Sequence, residues 1–397
     1  LPIKPSGLKG FSKKLGGRVT SLTNYMLNDG THRFQVNLLI AASKAEAKKI
    51  MRHMNRLTAK EKHDRVFRCA HLIIEFVKAP PALMHRLRAH LGMLDRSRRV
   101  YRVEAHLALI ERGDAARVNA VFNLLLREAA KQAAAVEAPQ GSGSDSRAAF
   151  AFDFASTAAT ARLKTLLAPL QFGNRLALRS APTAGGSPTY AIRPRPQKTL
   201  KRRFQKVFVF KNPPRFHSIP YVKVDAKVAT AGFRPAPAAQ PPAPQLTQKT
   251  RLWPTDHPPI QKLRKTLIQT TDPPAARLRK IHQWVFEKIT YGGKRVGSRD
   301  GVATVLKRGF GRCWEKADVL VTLARAAGLP ARQVAGWMVG RGGHIWAEIF
   351  VAGQGWMAAD ATTPWLGVAG DYVPLLTTDD GDMQVMYLKK PHITRLD

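Results

Sequence analysis

Hydrophobic positions in the first hundred residues switch between two spacings. HRFQVNLLI (His32–Ile40) is a compact apolar run that predicts a buried strand. Ser43 then stands where a helix cap would, with Glu46 three residues on at the reciprocal capping-box position. Behind it Ala47, Ile50, Met51, Met54 and Leu57 recur on one helical face. HLIIEFV (His71–Val77) predicts another strand, APPALMHRLRAHLG a helix opened by proline, and RVYRV (Arg99–Val103) a short last strand. The resulting β-α-β-α-β order is most of a ferredoxin-like βαββαβ unit. One more helix is expected over Asp114–Ala135.

Periodicity then fades. APQGSGSDSR has the composition of a flexible linker, residues 150–235 read as irregular, and FRPAPAAQPPAPQ (Phe233–Gln245) is a proline-rich connector. Within this stretch lies a basic-aromatic block, KTLKRRFQKVFVFKNPPRF (Lys198–Phe216). Of its Phe204, Phe208 and Phe210, at least two are expected to pack in β-structure rather than stack on bases. Order returns after about residue 247. PPAARLRKIHQWVFEKITY is a proline-initiated helix with Leu278, Ile281, Val285 and Ile289 on one face. GVATVLKRG follows, then a helix opening at Cys313 and stopped by Gly328 and Pro330. RQVAGWMV and HIWAEIFV predict two strands, and GQG turns the chain into WMAAD, ending at Asp360.

Composition adds a partner to this picture. The 397 residues favour two or three domains, and 44% hydrophobic content is enough to build cores. Sixty-five Lys and Arg against 27 Asp and Glu give a net charge of +38, a surplus that points to a polyanion, with nucleic acid as the usual one. The surplus is uneven. From Lys249 onward 22 basic residues face 13 acidic ones, whereas the first 248 residues carry 43 against 14. No apolar run has the length of a membrane-spanning helix. The two cysteines, Cys69 and Cys313, provide neither a disulfide framework nor metal-ligand spacing, so no cofactor is expected and a reducing compartment is. Lys13, Lys14, Arg18, Arg96, Arg98, Arg99, Lys201, Arg202 and Arg203 are the expected phosphate contacts. A start at Leu1 is consistent with a processed organellar protein.

The front pattern, FQVNLLI…SKAEAKKIMRHMNRL…AHLIIEFVKAPPALMHRLRAHLGMLDRSRRVYRV, resembles bacterial-type small-subunit ribosomal protein six over about 75 residues. In that family an apolar strand, an alanine-proline step, a helix and a "D..V.R" strand follow one another. The stretch before His71 is too short for the family's second strand, so that edge strand is either lost or missing. The resemblance implies a seat on the small ribosomal subunit, beside rRNA and ribosomal protein eighteen.

The back half carries a second and more specific resemblance. GRCWEKADVLVTLARAAGLPARQVAGW…HIWAEIFVAGQGWMAADATTPW is similar, over some 120 residues, to the transglutaminase-like core, a papain-related cysteine fold. Matched motif by motif, the family's catalytic triad falls on Cys313, His344 and Asp360, with none substituted. The residues suit that chemistry. A thiol at a helix N-terminus faces unsatisfied N–H groups that favour thiolate. A histidine at a strand start would take its proton, and a carboxylate on the next strand would hold the imidazole's tautomer. Trp346 and Trp356 read as core, His282 as a surface or core histidine, and Cys69 as packing.

The expected fold class is therefore α+β. A basic extension (1–30) precedes a ferredoxin-like domain with its trailing helix (31–135). An irregular basic and proline-rich stretch (136–246) leads to a transglutaminase-like domain (247–397). Two functions follow. The leading one is a structural, rRNA-binding component of a mitochondrial small ribosomal subunit with an appended transglutaminase-like domain. The other is a free cysteine acyltransferase or peptidase using the triad. Charge separation favours the first, and the intact triad favours the second.

Overall fold

The computed structural model describes residues 10, 12–28, 33–58, 66–69, 72–77, 98–112, parts of 118–128, 157–236 save 203 and 217, 242–293, 299–382 and 386–397. Its contacts divide into two compact units, Leu1–Ser97 and Arg98–Asp397. The helix expected at 81–91, the linker at 138–147 and residues Arg96 and Arg203 lie outside the described residues.

The first unit is a four-stranded antiparallel sheet with a helix packed against it. Its elements are β1 (Val19–Asn28), β2 (Arg33–Ala41), α1 (Lys44–Thr58), β3 (Val66–Cys69) and β4 (Leu72–Val77). The strands lie in the order β1-β2-β4-β3. The second strand thought too short to exist is therefore present as β3, paired with β4 from Val66↔Glu75 to Cys69↔Leu72. Val19, Leu22, Leu39, Ala41 and Ile73 from the sheet meet Ala47, Ile50 and Met54 from α1, the face the helical spacing marked out. Ser43 caps α1 through Oγ, which accepts the Glu46 N–H at 3.2 Å. The Glu46 carboxylate does not return to Ser43. It accepts the Arg18 N–H at 2.6 Å and Lys49 at 2.8 Å, pinning the chain ahead of β1 to the helix.

The expected ferredoxin-like unit is not confirmed, because its last strand goes elsewhere. The place beside β2 is taken by β1, ten residues of the supposed basic extension, in register from Asn28↔Arg33 to Val19↔Ala41 with one bulge. Arg99–Val103 instead falls inside a longer strand, β5 (Arg98–Ala108), which belongs to the second unit.

In that unit the middle of the chain, expected to be irregular, is β-rich. It contains β6 (Ile110–Arg112), α2 (Thr157–Leu167), β7 (Gln171–Phe172), β8 (Arg175–Arg179), β9 (Thr189–Arg193), β10 (Lys198–Lys201), β11 (Gln205–Val209), β12 (Arg215–Phe216) and β13 (Ile219–Ala231). β13 pairs β5 without a break from Tyr221↔Ala108 to Ala231↔Arg98, and that long ladder is what draws β5 away from the first unit. Tyr101, Val103, Ala105 and Leu107 alternate into the core beside Val222, Val224, Ala226 and Val228.

The stretch expected to be transglutaminase-like follows with α3 (Pro258–Leu267), α4 (Pro274–Lys288), β14 (Thr290–Tyr291), α5 (Val302–Arg308), β15 (Phe310–Gly311) and α6 (Cys313–Ala326). Strands β16 (Ala331–Met338), β17 (Gly342–Val351), β18 (Gly355–Ala359) and β19 (Tyr372–Thr378) form an antiparallel sheet ordered β18-β17-β16-β19. Short β20 (Met386–Tyr387) and β21 (His392–Arg395) return to pair β5. Helix α6 is buried along most of its length, between α3, α4, α5 and the sheet residues Ala331, Ala347, Ile349 and Val351. Gly328 ends it at φ +76°, a conformation that side chains disfavour. Gly336 is needed for space: a Cβ there would meet the Val373 carbonyl oxygen at 2.1 Å. The proline-rich connector is docked at its start, where Ala236 exchanges backbone bonds of 2.8 and 2.9 Å with Trp356. Among the described residues no helix is long and apolar enough to cross a membrane.

Candidate active site

Cys313 is the first residue of α6, separated from the Phe310–Gly311 strand by Arg312 alone. The Glu315 carboxylate turns back to accept the Arg312 N–H at 2.7 Å, fixing the entry to the helix. That places a half-buried thiol at the end where first-turn N–H groups lack intrahelical partners. His344 lies near the start of β17, and Asp360 directly follows β18. The β17–β18 register, with Ala347 opposite Ala359, brings the two side chains together.

His344 Nε2 and Asp360 Oδ2 are 2.7 Å apart, both groups buried. The Cys313 thiol is the other side-chain hydrogen-bond partner of the imidazole. With Nε2 committed to Asp360, Nδ1 is the nitrogen left for sulfur. Burial alone would lower the histidine's pKa, but the Asp360 charge and hydrogen bond, aided by Cys313, outweigh it and hold the ring up at about 10. Burial would raise the Asp360 pKa. The His344 charge and bonds from His344, Tyr372 and Thr362 more than offset that and keep the carboxyl well below its usual range.

A set of side chains to which the sequence reading gave no part in the site holds this pair in place. The Tyr372 hydroxyl donates to Asp360 Oδ2 at 2.7 Å, and burial, then the carboxylate, keeps that phenol protonated. Thr362 donates to Oδ1 from its backbone N–H at 2.9 Å and its hydroxyl at 2.8 Å. His282, buried on α4, sits 3.0 Å from the Asp360 carbonyl oxygen; burial lowers its pKa, so a neutral ring donates there. His344 stacks on Trp346 with ring centroids 6.3 Å apart and meets Tyr372 edge-on at 5.7 Å. Lys316, one turn after Cys313, buries its ammonium against the α4 end, donating to the carbonyls of Val285 at 3.0 Å, Phe286 at 3.3 Å and Ile289. Burial lowers its pKa to about 8. Thr362 alone had a local signal, two residues after an aspartate where a side-chain turn forms. Tyr372 and His282 arrive from other elements, β19 and α4. Among the described residues no group of three or more His, Cys, Asp or Glu is placed to hold a metal ion.

Residues 261–361, which contain the triad, match the family model of the transglutaminase-like superfamily. The C-terminal part of the chain is a transglutaminase-like domain. An uncharacterized protein of Haemophilus influenzae is 29% identical over a 116-residue alignment, which covers 22% of this chain and 31% of the relative. The match thus spans about a third of that relative's length. A solved candidate cysteine protease of Cytophaga hutchinsonii covers 75% of this chain and 90% of its own at 12% identity and a TM-score of 0.40. The periplasmic domain of TgpA from Pseudomonas aeruginosa covers 69% and 92% at 17% identity and a TM-score of 0.32.

These findings overturn the ribosomal reading. The family matched is transglutaminase-like, and nothing found supports a mitochondrial ribosomal subunit, rRNA or ribosomal protein eighteen as partners. The reason lies in what carried that reading, a strand-and-helix pattern whose last strand pairs outside the first unit. The basic residues expected to contact RNA belong to both units. Lys13, Lys14 and Arg18 are exposed in the first unit. In the second, Arg98 donates to the Gly185 carbonyl at 2.9 Å, Arg99 is half-buried, and Lys201 and Arg202 are exposed at the β10–β11 hairpin. The interleaved aromatics serve packing. Phe208 and Phe210 are buried, and Phe204 meets Trp356 edge-on at 6.4 Å, next to the transglutaminase-like sheet. Trp346 and Trp356 are core residues, as expected.

Proposed function

We propose that the chain is a thiol-dependent enzyme of the transglutaminase-like type that cleaves an amide by acyl transfer, with Cys313 as nucleophile. The supporting observation is the connected series Cys313–His344–Asp360, with the carboxylate held by three further donors. His344, bound to Asp360 through Nε2, presents Nδ1 to the sulfur and holds the proton that the attacking thiolate has lost. The thiolate attacks the amide carbonyl carbon and the C=O electron pair moves to oxygen. When the carbonyl re-forms, the amine leaves with the proton from His344. The resulting thioester passes to a second amine or to water, giving transfer or hydrolysis by the same machinery. The test is whether Cys313 takes up an acyl group at a rate set by His344.

A further inference from the structure

The Cys313 thiol has a second neighbour that the triad does not account for. Tyr291 closes β14, which runs parallel to β15 with Thr290 opposite Phe310 and Tyr291 opposite Gly311, two residues before the thiol. Its hydroxyl and the Cys313 sulfur are hydrogen-bond partners. The backbone around it is held from both sides. Thr290 donates to Gly309 O at 2.8 Å, Gly292 donates to Gly311 O at 3.1 Å, and the Arg312 guanidinium donates to Gly293 O at 2.8 Å. An anchored two-residue ribbon thus fixes the ring beside the sulfur while leaving the residue 54% exposed, open to an incoming substrate. Burial, then the thiol's charge, raises the phenol's pKa, so it remains an O–H donor. Phe310, 39% exposed on the partner strand, continues the same lip.

We infer that the Tyr291 hydroxyl is a catalytic donor to the oxyanion that forms when Cys313 attacks a carbonyl. The inference rests on the acyl-transfer reading above. In the resting enzyme the O–H points at sulfur. As the C–S bond forms, sulfur's electron pair is spent and the carbonyl π pair passes to oxygen, so the strongest acceptor within reach moves from sulfur to oxygen. The donor follows it, the proton staying on the phenol, beside the N–H groups at the start of α6. When the oxyanion collapses and expels the leaving group, the hydrogen bond relaxes back.

Two reactions of the same thiol separate this role from others. Alkylation by iodoacetamide displaces iodide at a saturated carbon and makes no oxyanion, whereas acylation by p-nitrophenyl acetate passes through one. Tyr291→Phe is expected to slow acylation by about 10²-fold, the usual cost of one oxyanion donor, while leaving alkylation within about threefold of wild type. Equal slowing of both reactions would overturn the inference, leaving a tyrosine that only supports the thiol. Faster acylation and alkylation would also overturn it, making Tyr291 an obstruction. Unchanged acylation in the variant, with a wild type that acylates readily, sinks the tyrosine's role alone. A wild type that alkylates at Cys313 but never acylates sinks the acyl-transfer reading and this role with it.

Discussion

At the scale of single residues, the His344–Asp360 pair has a definite pH signature. The imidazole titrates at about 10 in the folded protein against about 6.5 in an unfolded chain, so folding takes up a proton between those values. The pair's stabilisation is therefore fully present below about pH 6.5 and is lost as pH rises toward 10. Asp360 has the opposite sign: its depressed pKa stabilises the fold above the usual carboxyl range and is lost only in strong acid. Urea unfolding of wild type and His344→Gln should thus show its largest difference at pH 5 to 6.5, narrowing steadily to pH 10. A difference that does not change with pH would mean that the ring is uncharged in the folded state. Cys313, His344 and Asp360 were legible from sequence because each sits in a short motif tied to a helix start, a strand start or a hairpin end. Tyr291, Tyr372 and His282 were not, because they reach the thiol or Asp360 only through strand register and helix packing.

At the scale of elements, the position of the thiol depends on how α4 and α6 are joined. Lys316 supplies that joint, its ammonium serving three carbonyls at the α4 end from one turn beyond Cys313. Lys316→Met keeps the stem and removes the donors, leaving buried carbonyls without partners. It should cost about 2–3 kcal/mol of stability, given the worth of hydrogen bonds to charged groups. Denaturant unfolding measures this, and a loss under 0.5 kcal/mol in order of magnitude would show that water replaces the ammonium. The helices α1, α4 and α6 and the strands β2, β4, β16 and β17 were legible because apolar spacing is a local property. The partner of β5 was not. Choosing between the first unit's sheet and β13, over a hundred residues away in sequence, depends on a ladder that no local pattern records. β8 to β10 escaped notice because basic and proline-dotted segments mask short strands that carry only one to three apolar residues each.

At the scale of the second unit, the middle strands and the transglutaminase-like sheet share one buried ionic joint. Glu348 of β17 binds Arg179 of β8 at 2.7 Å through one oxygen and Arg332 of β16 at 2.6 Å through the other. Arg332 lies over the Trp356 ring at 3.9 Å and over Phe204 at 4.6 Å. Burial would raise the Glu348 pKa, and the two guanidinium charges outweigh it and lower it. Glu348→Gln leaves two buried cations facing a neutral amide, and should destabilise the unit by about 3–5 kcal/mol, the cost of breaking a buried pair. Calorimetry would show this, and a variant within about 1 kcal/mol of wild type would mean the joint is dispensable.

The central claim is that Cys313 accepts an acyl group with His344 as its base. The most direct measurement is rapid-quench acylation by p-nitrophenyl acetate at neutral pH, with the modified peptide located by mass spectrometry. The account predicts acetyl on Cys313 far sooner than on Cys69, none at that site in Cys313→Ala, and a rate about 10²–10⁴-fold lower in His344→Ala, the range a positioned base contributes. A wild-type Cys313 that acylates no faster than Cys69, or at a rate indifferent to His344, would contradict it.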